Sequence, residues 1–134
     1  MKTKLYLIIC LLSLTAGTCK KEGKDCHYQI KIKNNSGNEI IAAIPLVNAN
    51  NKCRLDGEKI NKGGFFDYRP FNFCIENSMS SSTTQDIYII DPALYNSIDT
   101  YYNCDSIEIK NKVLKHYVLT LEDLKQTNFT VTYQ

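Results

Sequence analysis

Apolar side chains recur at every second position in several short stretches, and that spacing is the strongest constraint on the fold. Tyr28, Ile30 and Ile32 alternate with Gln29, Lys31 and Lys33, which gives a strand one apolar and one polar face. Ile107 and Ile109 repeat the pattern, as do Phe129, Val131 and Tyr133. The stretch 39–47 is apolar on both faces until Pro45 and predicts the second strand, and 87–90, also apolar on both faces, predicts a strand in the middle of a sheet. Val113 to Leu119 predicts a further strand. Asn34–Asn38 is rich in turn-tolerant residues and predicts a hairpin between the first two strands. Residues 48–52 and 78–85 read as loops, and Lys62-Gly63-Gly64 as a tight turn. Asp91-Pro92 predicts a helix start, with Asp as N-cap and Pro at the first helical position. The spacing of Leu94, Ile98 and Tyr101/Tyr102 carries that helix about three turns, to Asn103. Thr120 and Asp123 form a capping-box pattern, Leu119 and Leu124 hold the staple positions, and the helix ends near Gln126. The expectation is a mainly β fold: a small two-layer sandwich, immunoglobulin-like or related, of six to seven strands with one or two short helices. The alternative is an α+β fold with the helix at 92–103 packed on one sheet.

The chain of 134 residues opens with Met1-Lys2-Thr3-Lys4, an apolar run from Leu5 to Leu14, and small residues up to Cys19. Charge, apolar core and small-residue exit are the parts of a secretory signal. The apolar run is about half of the ~20 residues a spanning helix needs. Leu14–Cys19 resembles a lipobox, with Thr18 where Gly, Ala or Ser is usual and Ala16 where Leu is preferred. Residues 1–18 are therefore expected to be a lipoprotein signal peptide. Cys19 becomes the lipidated N-terminus, 19–25 a polar tether and 26–134 a single β-rich domain. The rival is ordinary signal-peptidase cleavage after Ala16 or Gly17, leaving Cys19 a free thiol. Cysteine parity favours lipidation: of six Cys, the signal removes Cys10 and the lipid takes Cys19, leaving an even set at 26, 53, 74 and 104. Sixteen Lys and Arg less Lys2 and Lys4 match fourteen Asp and Glu. Such a balance leaves no electrostatic footprint for nucleic acid.

The ending Val113-Leu114-Lys115-His116-Tyr117-Val118-Leu119-Thr120-Leu121-Glu122-Asp123-Leu124, continued by Asn128-Phe129-Thr130-Val131-Thr132-Tyr133, resembles that of small envelope lipoproteins of Bacteroides-type bacteria. Positions 116, 118 and 129 carry His, Val and Phe where that ending has Arg, Asp and Trp. The strand Asp86–Asp91 and the lipobox with its tether resemble the same group. The likeness is specific over about twenty residues. It implies anchoring in the cell envelope, with the outer membrane as the default. It implies no activity, cofactor or catalytic residue. Asp105-Ser106-Ile107 resembles the O-glycosylation acceptor of these bacteria, which marks Ser106.

Six Cys in so short a chain point to an oxidising compartment. Four domain Cys allow three connectivities. A hairpin centred between Gly63 and Gly64 places Cys53 opposite Cys74, about 4.5–5.5 Å apart, so that Cys26 and Cys104 pair by elimination. The same wide spacing argues against a zinc site, which usually pairs close ligands. The domain's two His, His27 and His116, would need a partner in contact to do chemistry. Asp86, Asp91, Glu122 and Asp123 read as strand ends and caps. No Gly-rich phosphate loop or G-x-S-x-G elbow occurs. Most of the nine Tyr and five Phe fall at core positions, which argues against a glycan platform. The expected role is a non-enzymatic, lipid-anchored envelope protein that binds another envelope protein or a surface polymer, with no catalytic, metal or cofactor site. The alternative is a small membrane-tethered hydrolase or thiol enzyme.

Overall fold

The structure is a computed structural model, and it describes residues 22–50, 52–95, 102–103 and 113–134. Two sheets stack as a small, mainly β sandwich. The smaller sheet has the order β4 (Phe65–Tyr68), β1 (Ile30–Asn34), β8 (Thr130–Tyr133). The larger has the order β6 (Tyr102–Asn103), β3 (Lys52–Ile60), β2 (Ile40–Val47), β5 (Gln85–Ile90), β7 (Val113–Leu119). Neighbours are antiparallel except β1 and β8, which run parallel. The described helices are short: α1 (Ile75–Ser78), α2 (Pro92–Tyr95) and α3 (Leu121–Gln126).

Side-chain alternation builds the core directly. Ile30 and Ile32 of β1 and Val131 of β8 point at Ile40, Ala42, Ile44, Ile60, Ile87 and Ile89 of the larger sheet, while Lys31 and Lys33 face out. Ile75, Met79, Leu124 and Phe129 close this cluster. Each buried Ile contributes roughly 1.5–3 kcal/mol. Met79 is buried although it lies in a stretch that reads as an exposed loop. β5 is an interior strand, as its two-sided apolar run predicts, and β2 beside it is interior too. On the far face, Ile41, Ala43, Leu55 and Ile90 form a second cluster, packed by Tyr88, Tyr95 and Val113. Tyr95 crosses β3 where Gly57 leaves room. Its hydroxyl accepts the Gly57 N–H (2.8 Å) and donates to the Leu55 carbonyl (3.3 Å).

Two predicted hairpins are instead crossings between layers. β1 and β2 do not pair, and neither do β3 and β4. Gly63 makes the expected turn, at φ 72°, but the turn carries the chain from the larger sheet to the smaller. The cause is Asn34, which is wholly buried. Its Nδ2 donates to the carbonyls of Asn38 (2.8 Å) and Ile60 (3.1 Å), and its Oδ1 accepts from the Ser36 N–H (3.0 Å) and hydroxyl (2.6 Å). Its backbone N–H reaches Gly64 (3.0 Å) and its carbonyl accepts from Gly63 (2.9 Å). One side chain thus satisfies both crossings, and both loops follow it.

α2 begins as predicted: Asp91 Oδ1 accepts the Ala93 N–H at 2.8 Å and Pro92 is the first helical residue. It does not run to Asn103, because Tyr102 and Asn103 form β6, paired with Cys53 and Lys52. The part of the predicted helix at 96–101 lies outside the described residues. The strand expected at 107–110 lies outside the described residues. α3 has the full capping box: Thr120 Oγ1 accepts the Asp123 N–H (3.2 Å) and Asp123 Oδ2 accepts the Thr120 N–H (2.9 Å). Leu124 is fully buried, and Leu119 packs on the same cluster. After α3, Asn128 and Phe129 both adopt left-handed backbone (φ 48° and 54°), and the Phe129 N–H bonds the Leu124 carbonyl at 2.7 Å. That strained reversal, costing roughly 1–2 kcal/mol per residue, turns the Phe129 side chain into the core.

Candidate functional site

Chemistry-bearing side chains gather where residues 22–28 meet the sandwich. Residues 22–26 fold into a turn: Gly23 and Cys26 exchange backbone hydrogen bonds (3.0 and 3.3 Å), and Glu22 accepts the Tyr28 N–H (2.8 Å). Cys26 is disulfide-bonded to Cys74, with Cα atoms 5.0 Å apart. The bond places the start of α1 beside residue 27, and the Ile75 N–H donates to the His27 carbonyl at 2.7 Å. Glu76, one residue further, grips His27 twice. Its Oε1 lies 2.5 Å from His27 Nδ1, and its Oε2 accepts the His27 backbone N–H at 2.9 Å. Phe129 stacks on the other side of the ring, with centroids 3.9 Å apart.

Burial pushes the Glu76 carboxyl up, but the hydrogen bonds from the His27 ring and backbone outweigh it and hold the group below its ordinary 4.5. An ionised carboxylate only accepts, so Nδ1 of His27 carries the proton donated to it. Nε2 is the remaining polar atom of the ring. Glu22, Lys24, Asp25, Lys31, Asp67 and Lys125 line two shallow depressions flanking the stack.

The second histidine also has a carboxylate. His116 Nε2 lies 2.7 Å from Asp86 Oδ1, and the ring stacks on Tyr88, its cross-strand partner, at 4.1 Å. This pair is on the outer face of β5 and β7 and is partly exposed. It is a cross-strand stack of the kind that stabilises sheets. Asp86 is therefore more than a strand end.

The expected disulfide pattern is corrected. Cys74 bonds Cys26 and not Cys53, because β3 and β4 belong to different sheets and the hairpin symmetry about residue 63.5 does not exist. The Cys26–Cys104 pairing falls with it. Cys53 is disulfide-bonded as well. Cys19, Cys104 and Ser106 lie outside the described residues. Among the described residues, no group of three or more His, Cys, Asp or Glu could hold a metal ion, and no hydrogen bond joins either His ring to a Ser, Thr or Cys side chain. No described helix is long and apolar enough to cross a membrane. Glu76 was invisible to sequence reasoning. Its signal, an acid two residues after a Cys and facing a His one residue after another, becomes readable only once the two Cys are joined. Comparison with protein-family models, curated proteins and solved structures finds no match.

Proposed function

We propose that the chain is a lipid-anchored, non-enzymatic protein of the cell envelope whose sandwich binds another envelope protein. Cys19 carries the lipid, and the outer membrane is the default destination. The observation that supports this most is the clamp at the tether junction. Seven residues after Cys19, the chain is bonded covalently to α1 and held twice more by Glu76. Tension on the tether passes through Cys26–Cys74 to Ile75, which is fully buried in the core. A domain that must stay folded while held at a surface needs such a staple.

The enzymatic alternative draws on His27–Glu76 and His116–Asp86. Each pair is already used to hold the fold together, through a stacked ring and a strand or helix contact. Cys26, Cys53 and Cys74 are oxidised, which disfavours a thiol nucleophile among them. Substituting Cys19→Ala and fractionating cells tests the anchoring. The variant should lose the lipid and move from the membrane into the soluble fraction. Normal processing with unchanged membrane association sinks the reading. The binding claim is tested by pulling down the native lipoprotein and identifying partners by mass spectrometry.

A further inference from the structure

The two sheets differ in length, and the difference opens a cleft. β2 and β3 have eight and nine residues, while β4 has four. Ile40, Ala42, Ile44 and Ile60 are covered by the smaller sheet, but Leu46, next on that face, is 48% exposed. Opposite it, β4 contributes Phe66 and Tyr68. The cleft between them has a volume of about 140 Å³ and is lined by Ile44, Leu46, Asp56, Glu58, Phe66 and Tyr68.

The lining is unusual for the inside of a sandwich. Asp56 and Glu58 share their face of β3 with buried Ile60, where alternation ordinarily brings apolar residues. Neither forms an ion pair among the described residues. Arg54, earlier on the same face, is not part of the lining. The Tyr68 hydroxyl, half-buried, has no hydrogen bond among the described residues. Burial and the nearby Asp56 raise its pKa, so it stays protonated at neutral pH.

We propose that this cleft receives a lysine or arginine side chain of the partner protein, a proposal that rests on the binding role argued above. Leu46, Ile44 and Phe66 match an aliphatic stem. Asp56, Glu58 and Tyr68 offer acceptors to a cationic head, with an aromatic wall beside it. The volume suits one long side chain. Recognition by side chain also fits the backbone: Tyr95 already bonds Gly57 and Leu55 of β3, so an added strand would find that stretch taken.

The test uses the full-length lipoprotein in its own cells, with a photo-crosslinking residue at Leu46 or, separately, at exposed Val118 on β7. The expected result is a discrete adduct from position 46, mapped by mass spectrometry to a segment containing Lys or Arg. Asp56→Asn with Glu58→Gln should cut its yield roughly tenfold, and Asp56→Glu should preserve it. Raising the salt before irradiation should weaken it too, a reading that needs no further mutation. An adduct indifferent to both, or mapped to a segment without a basic residue, overturns the proposal. Adducts only from position 118 overturn the cleft and leave the binding role standing. No adduct from either position overturns both.

Discussion

Removing the Cys26–Cys74 disulfide should lower stability by about 4 kcal/mol. The bond closes a loop with a sequence separation of 48. Forbidding the unfolded chain to open that loop is worth roughly 4 kcal/mol at 25 °C in the chain-entropy account. For a domain of this size, each kcal/mol moves the melting temperature by about 4 °C, so the double variant Cys26→Ala/Cys74→Ala should melt about 16 °C lower. The native state should change little. Ile75 still donates to His27, Glu76 still grips it twice, and Phe129 still stacks on its ring. Thermal unfolding by circular dichroism measures the loss, and amide exchange at His27 and Ile75 checks that the junction remains closed below the transition. A melting temperature within about 3 °C of the wild type would refute the entropic argument. A large loss accompanied by rapid exchange at both amides would show that the disulfide holds the native junction together.

Asn34→Asp should cost about 3–5 kcal/mol, because a buried carboxylate replaces the donor to Asn38 and Ile60. Burial would raise the folded pKa of that new Asp above its unfolded value, so the deficit should be smallest below about pH 3.9 and grow as pH rises. Glu76→Gln should act in the opposite sense. The wild-type carboxylate has a depressed folded pKa, so its contribution is present above 4.5 and disappears as pH falls through the lower folded value. The melting-temperature gap between wild type and variant should therefore close in acid. Gly57→Ala should cost about 1–3 kcal/mol in urea titrations, since its Cβ would lie 2.5 Å from Ile41 Cγ2 and 2.9 Å from Tyr95 Cε2. Peptide mapping of the unreduced protein should find Cys53 joined to Cys104, because β6 pairs beside Cys53 and Cys104 follows it directly. A Cys53–Cys19 crosslink would instead remove Cys19 as the lipidation site.

What the sequence made legible was local. The two-sided run at β5 placed that strand in a sheet interior, and Thr120–Asp123 located α3 and its cap. Each of these depends on residues within about one helical turn or one strand. Layer assignment does not. Alternation at Ile30 and Ile32 says that one face is buried, but not against which sheet. That was decided by Asn34, whose bonds to Ile60 and Asn61 span 26 and 27 residues. In sequence it is one more polar residue in a turn-rich stretch. His27 and Glu76 are 49 residues apart, and neither residue signals the other.

β3 shows how local alternation can miss the chemistry. Cys53 and Leu55 alternate with Arg54 and Asp56, and the pattern separates a buried face from an exposed one. By periodicity alone, the charged face looks out to solvent and carries no further meaning. The topology turns that same face toward the smaller sheet, which ends before it reaches Leu46. Asp56 and Glu58 are thus exposed, as alternation requires, and also at the mouth of an inter-sheet cleft. Inward-pointing charges at a sheet margin discourage unwanted strand pairing. That role alone would not require Leu46, Phe66 and Tyr68 to surround them, nor a phenol without a hydrogen bond. The unequal strand lengths bring those groups together, and only the pairing of strands reveals those lengths.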